Sequence, residues 1–222
     1  MAIVQKVAKI KGVADIVFCI DATGSMEPCI NQVKQNVENF AKAIESNSPN
    51  TKVDWRARIL VYRDFMSDSI YLKNDLPFVT NAGELRTQLD QISAGGGEDE
   101  PESTLDAILY ATLNSEWRIN SHKIIVVFTD ATSKPNLDEK TIKDLDIPDD
   151  FEVFAQVLQE NHIKLFLYGQ QCAIYNDLSK LSRTTIVQFS NAVEELKSAD
   201  FKTILDRIGK TVSDIASGGE VL

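Results

Sequence analysis

Residues 17 to 26 read VFCIDATGSM, where a carboxylate and two hydroxyls, Asp21, Thr23 and Ser25, follow an apolar run at alternate positions. Three kinds of site use such groups: a phosphate-binding loop, an aspartate nucleophile and a binding site for a hard metal ion. Carboxylate and hydroxyl oxygens are the ligands that Mg²⁺, Mn²⁺ and Ca²⁺ prefer. Which of the three sites is present depends on the other side chains that the fold brings to the same place.

Segments of alternating strand and helix character must position these side chains. Strands are predicted at 14–20, 55–62, 122–129, 162–169 and 184–189, with shorter extended pieces within 69–79. Amphipathic helices are predicted at 26–44, 82–92, 105–112, 151–158, 174–181 and 201–215, and an extended polar loop at 131–150. This alternation is typical of an α/β fold. We therefore expect a doubly wound, mostly parallel six-stranded sheet with helices on both faces.

Length, charge and cysteine content restrict the class of protein. The 222 residues predict a single domain over 1–217 and a disordered tail at 218–222. The net charge of -10 argues against nucleic-acid binding, which requires a basic surface. No apolar run is long enough to cross a membrane. The three cysteines, Cys19, Cys29 and Cys172, lack the spacing of a metal site and are expected to be reduced. We accordingly expect a cytoplasmic protein that binds neither membranes nor nucleic acids.

Aspartates follow three of the predicted strands. Asp21 ends the first, Asp64 comes two residues after the second, and Asp130 follows the strand at 122–129. The carboxyl ends of parallel strands meet at one edge of a sheet, where ligands bind in open α/β folds. The acidic loop before the next helix adds Glu98, Asp99, Glu100 and Glu102. A single aspartate after a strand is common turn chemistry, but clustered carboxylates repel one another unless a cation lies among them.

The kind of cation follows from the donors available at this edge. His122 and His162 both precede strands and should lie at the opposite edge, so neither can act there as a ligand or a general base. With carboxylate and hydroxyl oxygens alone, Mg²⁺ is expected, or Mn²⁺ or Ca²⁺ in its place, and Zn²⁺ is not. Mg²⁺ held by few carboxylates keeps water ligands and stays open to another oxygen. Ser25 is also placed to cap the following helix.

The segment Asp21-Ala22-Thr23-Gly24-Ser25 resembles the D-x-S/T-x-S signature of von Willebrand factor A (VWA) domains, which begins their metal-ion-dependent adhesion site. Asp130, after IIVVFT, matches the aspartate that completes that site. The order of strands and helices agrees over about residues 12 to 217. The resemblance implies a Rossmann-like VWA fold with a Mg²⁺ site at the carboxyl edge of its sheet.

The glycine-rich segment GGGEDEPES is similar to a loop in the VWA domains of integrin β-subunits, and also to one in intracellular VWA proteins associated with kinases. This resemblance implies that Glu102, the glutamate of a Pro-Glu pair, contributes to the metal site. It also implies a second metal site that includes Asp64 and Asp99, although Gly97 replaces the asparagine found there in integrins. The ligands implied for the first site are Asp21, Thr23, Ser25, Glu102 and Asp130.

The resemblance implies a non-catalytic adaptor whose metal ion takes a carboxylate or phosphate ligand from a partner protein. Similar intracellular domains accompany kinases and phosphatases in bacterial stress-response and phosphorylation-linked gene sets, so a signalling role with such a partner is expected. A phosphate-binding loop is excluded, because no G-x-x-x-x-G-K-[S/T] segment is present.

Two alternatives remain open. In one, Asp21 is the nucleophile of a phosphohydrolase, although such enzymes need a second aspartate two residues later, where this chain has Thr23. In the other, the acidic edge is purely structural.

Overall fold

A six-stranded sheet forms the centre of the protein. In a computed structural model, residues 12–46, 53–65, 72–96 and 101–216 are described, and the tail expected at 218–222 lies outside them. The strands are β1 (Val13–Asp21), β2 (Asp54–Tyr62), β3 (Leu72–Lys73), β4 (His122–Phe128), β5 (Lys164–Gln170) and β6 (Thr184–Phe189). Their order is β3-β2-β1-β4-β5-β6, with β3 antiparallel to β2 and the other pairs parallel. The expected mostly parallel α/β fold is confirmed.

Helices cover both faces of this sheet. They are α1 (Glu27–Ser46), α2 (Ala82–Asp90), α3 (Thr104–Leu113), α4 (Glu139–Leu145), α5 (Phe151–Glu160), α6 (Ala173–Leu178), α7 (Ala192–Ser198) and α8 (Phe201–Ala216). One face packs against α1, α2, α7 and α8, and the other against α3 to α6. A short 3₁₀ turn at Gly24–Met26 links β1 to α1. Within the described ranges, no helix combines the length and the apolar character needed to span a bilayer.

The central strands are apolar on both sides because helices cover both. In β1, Ile16, Phe18 and Ile20 enter one core, while Val17 and Cys19 enter the other. All of these side chains are buried. Strand β4 has the same continuous apolar run, whereas the edge strand β6 alternates between partly buried and exposed positions. The uninterrupted apolar runs therefore mark the two strands whose ends carry Asp21 and Asp130.

The structure contains two helices that the sequence analysis did not predict. The segment 131–150, expected to be an extended loop, contains α4. This helix has a single buried residue, Thr141, so it shows no apolar stripe for the sequence to reveal. It is defined by its ends: the Asp138 side chain accepts a hydrogen bond from the Lys140 amide, and Asp146 stops the helix in the left-handed conformation, with φ of 52°. Helix α7, the other, has only seven residues and buries Ala192 and Leu196.

A buried ion-pair network closes the amino edge of the sheet. The wholly buried Asp15 accepts hydrogen bonds from Arg56 Nε and Nη2 at 2.9 and 3.0 Å. It also accepts from the backbone amide and Nε of Arg118, both at 2.7 Å. Burial acts to raise the pKa of Asp15, but the hydrogen bonds from Arg56 and Arg118 hold it below its ordinary value. The carboxylate thus joins β1 to β2 and to the segment that follows α3.

Asp106 connects α3 to α4. Its side chain is buried, and its Oδ1 accepts a hydrogen bond from the Asp138 amide at 2.9 Å. Burial raises the pKa of Asp106 to about 6, against the opposing effect of the hydrogen bond from the Asp138 amide. The folded protein therefore holds this proton more tightly than the unfolded chain does.

We expect Asp106→Asn to change how stability depends on pH. Since the folded pKa is raised, the stability contributed by the protonated carboxyl is complete at about pH 4 and is lost as pH rises past about 6. The free energy of unfolding of the wild type should fall by up to about 3 kcal/mol relative to the variant across this window, at about 1.36 kcal/mol per pKa unit. Urea denaturation at several pH values measures the difference.

The matched control for this experiment is Asp177→Asn, which changes an aspartate with a side chain that is 48% exposed. Its stability should follow that of the wild type across the pH range. Parallel curves for the wild type and Asp106→Asn would show that Asp106 carries no raised pKa.

Candidate functional site

Asp21 and Asp130 meet because β1 and β4 are parallel neighbours. Ile20 is paired with Phe128 in the register of these strands. Asp21 ends β1, and Asp130 lies two residues beyond the end of β4, at the same edge of the sheet. The Asp130 charge is close enough to add to the rise in the pKa of Asp21. The structure thus places two of the expected acidic residues together.

Both carboxylate oxygens of Asp21 are held by hydrogen bonds. Oδ1 accepts from the amide and the hydroxyl of Thr23, at 2.9 and 2.7 Å, and Oδ2 accepts from the Thr129 hydroxyl at 2.7 Å. Burial nevertheless raises the pKa of this wholly buried side chain to about 6, with the hydrogen bonds from Thr129 and Thr23 opposing the rise. Because the Thr23 hydroxyl donates its proton to Asp21, the lone pairs of the Thr23 oxygen remain free to coordinate a cation.

Backbone hydrogen bonds fix the loop that follows Asp21. The Gly24 amide donates to the Gly96 carbonyl at 3.2 Å, and the Gly95 amide donates to the Ala22 carbonyl at 2.9 Å. Arg63 Nε also donates to the Ala22 carbonyl, at 3.0 Å. The start of the acidic loop and the end of β2 therefore determine where Thr23 and its neighbours lie.

Asp130 supplies a carboxylate oxygen that is incompletely satisfied. Its side chain is 4% exposed, and its Oδ2 is buried with no hydrogen-bond partner among the described residues. Burial raises the pKa of Asp130, and the hydroxyl of the exposed Ser25 opposes this rise. Burying an unsatisfied carboxylate oxygen costs free energy that a cation in contact with it would offset. The donor set at this edge therefore fits a hard divalent ion.

Glu102 is tied to the segment that follows Asp130. Its amide donates to the Thr132 carbonyl at 2.9 Å, and its carbonyl accepts from the Lys134 amide at 3.0 Å. The side chain is 2% exposed. The charges of Asp21 and Glu102 both act on the Tyr175 hydroxyl, raising the pKa of this tyrosine after the larger effect of burial. Glu102 accordingly lies at the same edge as Asp21.

The carboxylates at this edge do not make a metal site by themselves. Over the residues that the structure describes, no three Asp, Glu, His or Cys side chains are grouped closely enough to hold an ion. A cation here would depend on the hydroxyls of Thr23 and Ser25 as well. His122, paired with Ala14 at the start of β4, and His162, which precedes β5, lie at the opposite edge as expected.

Asp64 lies in contact with an ammonium group. Lys134 Nζ forms an ion pair with Asp64 Oδ1, and the Ser103 hydroxyl donates to the same oxygen at 3.3 Å. Asp99, the other acidic residue of the expected second metal site, lies outside the described residues. The second site therefore stays a prediction, and any ion there would compete with Lys134 for Asp64.

A layer of hydroxyls beneath the site was not expected from the sequence. Thr104 Oγ1 lies 3.2 Å from the Tyr62 hydroxyl and accepts a hydrogen bond from the Tyr175 hydroxyl at 3.1 Å. Thr129, which donates a hydrogen bond to Asp21, could have been suspected from the sequence because it directly precedes Asp130. A Cβ on Gly169 would lie 2.9 Å from the Tyr175 ring and 3.0 Å from Thr129, so this layer is closely packed.

We expect Thr129→Val to destabilise the protein because it removes a hydroxyl without changing the shape of the side chain. Asp21 Oδ2 would lose the hydrogen bond from that hydroxyl, which costs about 1 to 3 kcal/mol for a buried group. Chemical denaturation at neutral pH in EDTA measures this loss without any contribution from divalent ions.

Thr112→Val is the matched control. The buried Thr112 hydroxyl donates at 2.7 Å to the Ile108 carbonyl within α3, so its loss leaves no charged group unsatisfied. Equal losses of stability in the two variants would contradict a special role for the Thr129 hydroxyl.

Comparison with known proteins places this architecture in a family. The family profile described as von Willebrand factor A domain matches residues 15–191. The alpha-protein kinase vwkA of Dictyostelium discoideum is 28% identical over 123 residues, which make up 53% of this chain and 18% of that kinase. This chain therefore spans less than a fifth of the kinase it resembles.

Solved structures share the fold at low sequence identity. Proximal thread matrix protein 1 from the mussel byssus matches 91% of this chain and 47% of its own, with a TM-score of 0.62 and 12% identity. A von Willebrand factor type A structure from Catenulispora acidiphila matches 91% of this chain and 43% of its own, with a TM-score of 0.54 and 11% identity. Because the family profile matches well over half of its length, the chain belongs to the von Willebrand factor A domain family.

Proposed function

We propose that this protein is a non-catalytic module that binds a partner protein through a Mg²⁺ ion at the carboxyl edge of the sheet. Membership of the VWA family indicates a role in protein interaction or adhesion, and VWA domains are generally non-catalytic. The observation that carries the metal assignment is the buried, unpartnered Oδ2 of Asp130 beside Asp21. Ser25 is exposed, so the proposed site is open to solvent at this residue.

The proposed ligands are Asp21, Thr23, Ser25, Glu102 and Asp130, which resemble the metal-ion-dependent adhesion site of the family. When bound, the ion supplies an open coordination position for a carboxylate or phosphate oxygen of the partner. Three carboxylates in direct contact would outweigh the two charges of Mg²⁺ and weaken this attraction. We therefore expect at least one of them, Asp130 first, to act through water. Mn²⁺ or Ca²⁺ would suit the same oxygen donors.

The phosphohydrolase alternative is less well supported by the geometry. Asp21 is wholly buried, and both of its oxygens accept hydrogen bonds, which is a poor state for a nucleophile. Thr23, at the position where such enzymes carry an acid, donates its proton to Asp21 instead. We therefore favour binding over catalysis.

The kind of partner is inferred from the chemistry of the site and from the family. A metal ion with an open position selects an acidic residue or a phosphorylated group. The similarity to a protein named as an alpha-protein kinase is consistent with a partner in phosphorylation signalling, such as a kinase or phosphatase. More specifically, we propose that the protein acts in the cytoplasm as an adaptor in a bacterial stress response.

We expect Asp21→Ala to lose Mg²⁺ and Mn²⁺ binding in calorimetric titrations. Removing the carboxylate takes away a proposed ligand and frees the Thr23 hydroxyl that it orients, so affinity should fall by at least about tenfold. Asp177→Asn, which alters a half-exposed aspartate paired with Lys180, is the control and should bind as the wild type does. Undiminished binding by a folded Asp21→Ala protein would rule out this site.

Partner capture should depend on the same ion. Protein retained by the immobilised wild type in Mg²⁺ should be released by EDTA and should be reduced with Ser25→Ala, which changes an exposed hydroxyl at the site. Ser179→Ala, an exposed serine that ends α6, is the matched control. Capture that persists in EDTA and in Ser25→Ala would place the partner surface elsewhere on the domain.

A further inference from the structure

A cavity of about 420 Å³ lies beside the amino-terminal half of β2, away from the acidic edge. It opens between β2, the segment that follows β3 and the end of α3, and its lining includes Arg56, Arg58 and Phe78. Arg58 pairs in register with Val17, four residues before Asp21 on β1, a separation of about 13 Å along the strand. The cavity is therefore distinct from the proposed metal site.

Arg58 is a buried cation that forms no salt bridge among the described residues, although the more distant charge of Glu116 opposes the lowering of its pKa by burial. Its side chain is 3% exposed, and none of the ion pairs formed among the described residues includes it. Its guanidinium donates instead to neutral acceptors: the carbonyl and Oδ1 of Asn74, at 3.0 and 2.6 Å, and the Ser115 hydroxyl at 2.7 Å. Its Nε is buried with no hydrogen-bond partner in the described ranges. A buried charge in this state is costly until an anion pairs with it.

Arg56 provides the contrast within the same cavity. It forms a two-point contact with the Asp15 carboxylate, so its charge is already compensated. The guanidinium carbon of Arg56 lies 4.1 Å from the centre of the Phe78 ring, and that of Arg58 lies 5.5 Å away. The cavity thus combines one cation that lacks a salt bridge among the described residues with an aromatic wall, to which Leu76 and Pro77 add apolar surface.

The charges at the mouth of the cavity limit the kind of anion. Asp75 and Glu116 also line it, and both are exposed. Their charges are screened by solvent but still oppose an approaching anion, most strongly one with two or more charges. A single carboxylate is therefore better suited than a phosphate dianion. Guanidinium and carboxylate groups also match in shape.

We propose that this cavity binds a small organic carboxylate with a flat apolar body. The carboxylate pairs with Arg58, and the body packs against Phe78 and the neighbouring apolar wall. A volume of about 420 Å³ falls within the usual range of small-molecule pockets, about 300 to 1,000 Å³.

Benzoate is the probe for this site, with benzamide as its uncharged counterpart and inorganic phosphate as the alternative anion. Trp117, whose ring centre lies 5.9 Å from that of Phe78, provides a fluorescence signal. The second tryptophan, Trp55, is buried in the core on the opposite face of the sheet. We expect saturable quenching or enhancement by benzoate, with at least tenfold weaker binding of benzamide and of phosphate. Binding of benzamide as tight as that of benzoate, or tighter binding of phosphate, would overturn the proposal, as would the absence of any response to benzoate.

Two variants at the cavity locate the response, and a third at the proposed metal site is the control. Arg58→Gln should weaken benzoate binding at least tenfold, while Asp21→Ala should leave it unchanged because the metal site is separate. Asn114→Phe changes an exposed residue that lines the cavity, should fill its mouth without altering the buried arginine or adding a tryptophan, and should abolish binding. If circular dichroism shows that Arg58→Gln does not fold, Asn114→Phe still tests where the probe binds. Unchanged benzoate binding by folded Asn114→Phe would show that the probe binds elsewhere.

Discussion

The hydrogen bond from the Thr129 hydroxyl to Asp21 Oδ2 is the contact on which the arrangement of the acidic edge depends. It crosses from the residue after β4 to the last residue of β1, and it exists because these strands are parallel neighbours in a fixed register. A slip of one residue would turn every side chain of β4 to the other face, so the two apolar cores enforce the register. The packing of the whole domain thereby positions a single carboxylate.

This arrangement places carboxylates that are costly to bury at the ends of the two central strands. Asp21 and Asp130 are buried, and burial raises the pKa of both. A buried carboxylate is tolerated only when hydrogen bonds or a cation compensate it. At Asp21 the compensation comes from Thr23 and Thr129, whereas at Asp130 it is incomplete among the described residues. Groups that are held in place before a ligand arrives lose less conformational freedom when they bind it.

The sequence predicted the parts of the structure that depend on period and on strand ends. The apolar runs at 14–20 and 122–129 were predicted as strands and form β1 and β4, and the aspartates after them lie together as expected. What it did not predict depends on long-range contacts or on very short elements. Tyr175 lies far from Asp21 in sequence and reaches the site only through the packing of α6, and α4 has too few buried residues to show a period. The network around Asp15 was missed because an aspartate inside a strand carries no local signal of its arginine partners.

The ion pair between Asp64 and Lys134 has a consequence for how this edge responds to its surroundings. The lysine is part of the chain, so the charge that it brings to Asp64 cannot be removed by chelation or diluted away. It also joins the end of β2 to the segment beyond Asp130, across the strand that carries Asp21. This corner therefore has a counter-ion even when the medium contains no divalent ions. The ion proposed for the neighbouring oxygens would exchange with the medium, whereas the charge of Lys134 does not.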